Sequence, residues 1–253
     1  MTVVIVVVCE DVPDLRTGAW LADRVILETL GDDTPDGWIP AELIDDYRCY
    51  RGRHRGDTHV PWKDVGTLAK EVGAKPLLGS FAGYYPAHED EWDILRALPL
   101  LLFHTPEPPD GIIFLRDTDD EEERKKGLEA ARTAICPDAS APVVIGIAHA
   151  KRECWHLAGF VAQEETNEAD RVAELRQKLG FNPCEQSERL VGSGEHKHKS
   201  AKRVLSLLTE DNHDRQAACV CSTPLDTLRK NGARNGLADY LADVKTYLLA
   251  LFR

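Results

Sequence analysis

The chain has 253 residues, with 31 Lys or Arg against 43 Asp or Glu, and a formal net charge of −12 at pH 7. At 43% hydrophobic and 29% charged residues, the composition is that of a globular protein and excludes a disordered, collagen-like or disulfide-stapled chain. The acidity also excludes coating of nucleic acid by bulk charge, because that affinity needs a basic surface; it leaves room for an enzyme that holds nucleic acid through a metal and a local basic strip.

In chain order, residues 3–8 are a continuous β-branched run, as expected of a strand covered on both faces. The run is short and has no basic segment before it, so it reads as a buried strand and not as a signal peptide. It ends at Cys9-Glu10-Asp11. Thr17 is placed to cap a helix over 18–30, with Gly31 as its stop. Residues 45–50 suggest a second strand, beside a basic cluster of Arg48, Arg51, Arg53, His54 and Arg55. Residues 79–86 read as a loop, and 89–103 as a helix broken at Pro99. Residues 111–115 form a second clear strand, ending in Arg116-Asp117-Thr118-Asp119-Asp120. A helix over 121–135 and a strand over 143–148 follow, and 149–161 reads as helical. Buried strands alternating with helices signal a parallel α/β sheet. Beyond 162 the pattern is helical only, over 164–179, 200–209, 223–230 and 236–251, with Gly192-Ser193-Gly194 as a loop. The expected organisation is an α/β core over 1–161 and a helical C-terminal region over 162–253. No stretch is long and apolar enough for a membrane helix. The seven cysteines are odd in number and lack a CxxC pair, which points to reduced thiols and a cytoplasmic protein with no membrane partner.

Ligands of open α/β sheets sit outside the carboxyl ends of the strands. Glu10, with Asp11 and Asp14, follows the first strand; Asp117 and Asp119 follow the second. A D-x-D at a strand end can turn two carboxylates to one side. Gathered carboxylates repel unless a cation neutralises them, and oxygen-only ligands favour Mg²⁺ or Mn²⁺. The same acids read equally as solvated loop residues and helix caps. His149, Glu153 and His156 would share one face if 149–161 is helical, which also suits a transition metal. Lys197, Lys199, Lys202 and Arg203 form the main basic strip, suited to a phosphate backbone or to plain solvation.

An apolar strand ending in Glu10, then a helix, then a strand ending in Asp117-x-Asp119 resembles the Toprim domain of topoisomerases, primases and related nucleases. The segment Lys151-Arg152-Glu153-Cys154-Trp155 is similar to one in small standalone bacterial Toprim proteins, which often belong to antiphage defence systems. The resemblance implies Glu10 as acid–base residue or metal ligand and Asp117 and Asp119 as ligands of Mg or Mn. It adds Glu153 to the catalytic cluster and assigns Lys151 and Arg152 to phosphate contact. It implies a metal-dependent nuclease acting on DNA or RNA, beside an ATPase or effector protein subunit. Two features depart from the family: the gap between Glu10 and Asp117 is long, which the resemblance turns into an insertion at about 50–108, and Asp11 stands where a glycine is usual. They favour a second reading, a non-catalytic Toprim-like binding or regulatory subunit. A small-molecule phosphatase is a third.

Overall fold

The computed structural model describes residues 2–35, 37–75, 89–119, 121–134, 141–164, 166–190 and 199–252, with no side-chain description at 89, 90 and 134. The fold is α/β, built on a parallel sheet ordered β2-β1-β4-β5. It is the arrangement expected of a Toprim-like core with an insertion and a helical C-terminal region. The strands are β1 (Val3–Cys9), β2 (Arg48–Arg51), β3 (Val60–Pro61), β4 (Gly111–Asp117) and β5 (Val143–Ala148). β1 is the sheet's central strand, with Ile5 and Val6 pairing β2 on one edge and β4 on the other. β3 pairs Val8 and Cys9 on the β2 side, so that edge is one strand interrupted by residues 52–59. The apolar runs of β1, β4 and β5 are buried almost throughout, and each fully buried Val, Ile or Leu contributes roughly 1.5–3 kcal/mol.

Several local expectations are corrected. Helix α1 is Val12–Leu30, beginning five residues before Thr17 and capped by Asp11, whose Oδ1 accepts the Asp14 N–H at 3.0 Å. Thr17 lies inside it, and its hydroxyl donates to the Pro13 carbonyl. Residues expected to start β2 form the short helix α2 (Ile44–Tyr47). The insertion contributes β3, α3 (Trp62–Glu71) and α4 (Glu89–Phe103). α4 runs unbroken through Pro99, since burial of Leu95, Leu98, Leu100, Leu101 and Leu102 outweighs one lost backbone hydrogen bond. The loop expected at 79–86 lies outside the described residues.

Contacts divide the chain into two compact units. The first comprises 1–116, 121–146 and 242–253; the second comprises 117–120 and 147–241. The sequence had suggested a boundary at 161/162. In the first unit, α3, α4 and α5 (Glu122–Ala134) pack on one another, and α1 packs on the C-terminal turn at Val244–Leu248. Asp23 on α1 is buried and receives two hydrogen bonds from Arg48 and one from Tyr50, tying α1 to β2. Burial pushes the Asp23 carboxyl up, and those three donors oppose the shift.

The second unit is helical: α6 (Glu153–Ala158), α7 (Glu168–Leu179), α8 (Ala201–Thr209), α9 (His213–Cys221), α10 (Leu225–Asn231) and the start of α11 (Leu237–Asp243). Helix α9 was not foreseen. The core joins Cys154, Leu157, Phe160, Leu175, Phe181, Val204, Leu205, Leu208 and Cys219. Among the described residues, no helix is long and apolar enough to cross a membrane.

Candidate functional site

In the first unit, β1 is the point where strand order reverses: the chain runs outward to β2 on one side and returns to β4 on the other. Such a reversal opens a crevice at the strands' carboxyl ends. Glu10 stands at that end of β1, with its Oε1 3.3 Å from Nη1 of Arg116 near the end of β4. The Arg116 guanidinium also lies over the Trp62 ring, 5.3 Å from its centre. Trp62 is itself pinned, its indole N–H donating to the Leu115 carbonyl at 2.6 Å. Glu10 therefore faces a guanidinium anchored by an aromatic ring.

In the second unit, the residues leaving β4 meet those leaving β5. Thr118 N–H donates to the Ala148 carbonyl (3.0 Å), and Asp119 N–H to the Ala150 carbonyl (2.9 Å). The Thr118 hydroxyl lies 3.3 Å from Nδ1 of His149. The Arg152 N–H donates to Oδ1 of Asp117 at 2.8 Å. Lys151 is ion-paired with Asp119, and Arg152 Nη2 lies 3.8 Å from Oε1 of Glu153. Asp117, Asp119, Lys151, Arg152 and Glu153 are thus brought together, with Thr118 and His149 as members that motif reading did not single out for this role. Burial works against the Lys151 charge, but the hydrogen bond and charge of Asp119, then the charges of Asp117 and Glu153, hold its pKa above the ordinary value. One ammonium answers three carboxylates.

The backbone here is unusual. Asp119 (φ 51°) and Ala150 (φ 23°) both lie at positive φ without being glycine, and they are the two residues joined by the Asp119 N–H. Such conformations cost about 1–3 kcal/mol each and persist where the surroundings enforce them, often at functional sites.

The carboxylates suit Mg²⁺ or Mn²⁺ in charge and donor type. As placed, however, no group of three or more His, Cys, Asp or Glu side chains among the described residues could hold a metal ion. Lys151 neutralises the acids instead. The shared helical face of His149, Glu153 and His156 does not form, because α6 begins only at Glu153. His156 is buried, with Nδ1–H donating to the Gln216 carbonyl at 2.9 Å, and burial lowers its pKa to about 4.

Of the basic strip, Lys197 lies outside the described residues. Lys202 and Arg203 are exposed in the first turn of α8, and Lys199 is half-exposed just before it. The cluster at 48–55 is structural in part: Arg48 serves Asp23, and Arg51 Nη2 donates to the Glu107 carbonyl at 2.6 Å. No family model, curated protein or solved structure matches the chain.

Proposed function

We propose that the turns after β4 and β5 form a phosphate-handling site, and that the protein is a metal-dependent phosphodiesterase of Toprim type acting on DNA or RNA. One observation carries the reading. A single ammonium, Lys151, is held among Asp117, Asp119 and Glu153, where the turns after β4 and β5 each carry a non-glycine residue at positive φ. Lys151 and Arg152 are the groups that would meet phosphate oxygens, and Asp117 and Asp119 the groups that would hold Mg²⁺ or Mn²⁺. The ion would supply charge neutralisation at the phosphate and an activated water, and its binding competes with Lys151 for the same carboxylates. The exposed Lys202 and Arg203, with Lys197 and Lys199, would serve a longer backbone. In this reading the protein works in the cytoplasm in antiphage defence, beside an ATPase or effector subunit.

A second reading, a non-catalytic Toprim-like binding or regulatory subunit, draws support from a different observation: Asp117, Asp119 and Glu153 are each hydrogen-bonded or ion-paired to Arg152 or Lys151, and the described residues as placed form no group of three that could hold a metal ion. One experiment separates the two. Mn²⁺ binding is measured by calorimetry, and cleavage of mixed single- and double-stranded DNA and RNA is followed with Mg²⁺ or Mn²⁺. Wild type is compared with Asp117→Ala and Asp119→Ala. The nuclease reading expects wild-type cleavage that falls by at least about a hundredfold in either variant. Wild type that neither cleaves nor binds Mn²⁺ refutes it and leaves the binding subunit.

A further inference from the structure

The 149–153 segment carries Lys151 and Arg152, the cations set among Asp117, Asp119 and Glu153, yet it lies in a turn whose backbone is strained at Ala150. Something must hold it. Asn235, distant in sequence and fully buried, does so from both its main chain and its side chain. Its carbonyl oxygen accepts from the His149 N–H and from the Trp155 indole N–H, each at 3.0 Å. Its Nδ2 donates to the Cys154 carbonyl (2.9 Å) and to the Ser187 hydroxyl oxygen (2.8 Å). The Ser187 hydroxyl in turn donates to the same Cys154 carbonyl at 3.1 Å. Its Oδ1 accepts the Leu237 N–H at 3.1 Å, which fixes the carboxamide's orientation. The neighbouring Gly236, at φ +85°, lies so close to the Ile147 carbonyl oxygen that a side chain there would overlap it. The Asn235-Gly236 pair is therefore pressed against the end of β5, where the segment begins.

We infer that Asn235 is a positioning residue: it brackets the segment between His149 and Trp155 and so holds Lys151, Arg152 and Glu153 against Asp117 and Asp119. The inference rests on the phosphate-handling reading for its purpose but not for its structural content. The bracket is closed at both ends, by His149 N–H before the strained Ala150 and by Cys154 and Trp155 after the charged residues. The carboxamide satisfies three separate groups, the Cys154 carbonyl, the Ser187 hydroxyl and the Leu237 N–H; its removal leaves them short of a partner, at about 1–3 kcal/mol each, and takes away the anchor that places the main-chain carbonyl against His149 and Trp155. That cost falls on the segment that carries the strained Ala150.

The test uses the full chain. Hydrogen exchange is followed for peptides covering 147–156 and, as reference, α8 and α9, in wild type, Asn235→Ala and Ser187→Ala. Binding of inorganic phosphate is titrated in parallel. Asn235→Ala is expected to speed exchange across 149–155 by about tenfold or more, with α8 and α9 within about twofold. Ser187→Ala keeps the Asn235 Nδ2 bond to Cys154 and is expected to change 149–155 by less than about threefold. Phosphate affinity is expected to fall by about fivefold or more in Asn235→Ala alone. Unchanged exchange at 149–155, or equal acceleration in α8 and α9, overturns the inference, the second outcome by showing that Asn235 merely holds the unit together. Asn235→Ser, shorter but still a donor, supplies the same comparison if the alanine variant fails to fold. A wild type that binds no phosphate, with the exchange pattern as expected, refutes the functional reading and leaves the positioning role standing.

Discussion

His156 makes the stability of this protein depend on pH in a calculable way. His156 is 5% exposed, and its Nδ1–H donates to the Gln216 carbonyl at 2.9 Å. Burial lowers the pKa from 6.5 to about 4, Arg152 adds to that effect, and the Gln216 carbonyl and Glu153 oppose it. The unfolded imidazole takes up a proton below its ordinary pKa, whereas the folded one resists until about pH 4. The stabilisation is therefore complete above pH 6.5 and is lost as pH falls from there toward 4. Linkage puts the loss at about 2–3 kcal/mol by roughly pH 4.5, on the order of a hundredfold in the unfolding constant. The assay is urea unfolding at about pH 7.5, 6.5, 5.5 and 4.5 for wild type and His156→Asn, whose carboxamide retains an N–H donor but does not titrate. Subtracting the two pH profiles cancels all other carboxylates and histidines. The wild type is expected to lose about 2–3 kcal/mol more than the variant over that range. Parallel profiles, or an NMR titration placing the folded His156 near its ordinary pKa, would refute the reasoning.

Three further outcomes follow from the structure. Arg215 grips Glu168 with two N–H···O bonds of 2.7 and 2.9 Å and stacks over Phe160, and Glu168 is buried. Arg215→Met strands that carboxylate and is expected to cost about 3–5 kcal/mol in urea unfolding, while adding Glu168→Gln recovers part of it. Arg215 holds the Glu168 pKa below its usual value, so this pair's stabilisation is present above the unfolded carboxyl pKa and is lost as pH falls through the folded one. Gly236→Ala, which would force a methyl onto the Ile147 carbonyl at φ +85°, is expected to destabilise by roughly 2 kcal/mol or more, read as a lowered Tm. Among the described cysteines, Cys49 and Cys221 are exposed and Cys9, Cys154, Cys184 and Cys219 are buried. Burial pushes the thiols of Cys184 and Cys219 up to about 12 and about 11. Iodoacetamide on the native protein, mapped by mass spectrometry, is therefore expected to label Cys49 and Cys221 well before the other four.

Strands were legible where burial leaves only one kind of residue. β1, β4 and β5 are unbroken β-branched or apolar runs, and two of them end in acids. Helix starts were legible only in part. The cap of α1 is Asp11, which accepts the Asp14 N–H, and not Thr17, whose hydroxyl donates back to the Pro13 carbonyl inside the helix. Pro99 reads as a helix breaker, but a helix with this much buried leucine tolerates it. Within the site, the acids at 117 and 119 and the cations at 151 and 152 stand out in the sequence because charges immediately after an apolar run are conspicuous. Thr118, Ser187 and Asn235 do not, since nothing local marks a residue whose partners lie dozens of positions away, and His149 is conspicuous only for a metal-binding face that does not form.

The sequence by itself determined the fold class, the order of the buried strands and the placing of charged residues at their carboxyl ends, because side-chain period and polarity act over a few residues. Only the tertiary structure decided that Lys151 neutralises Asp119 among three carboxylates, that His156 is buried and not part of a metal-binding face, and that Asn235 holds the segment between them. Those outcomes depend on which distant groups the fold brings within hydrogen-bonding distance, and on how much water it removes from around them.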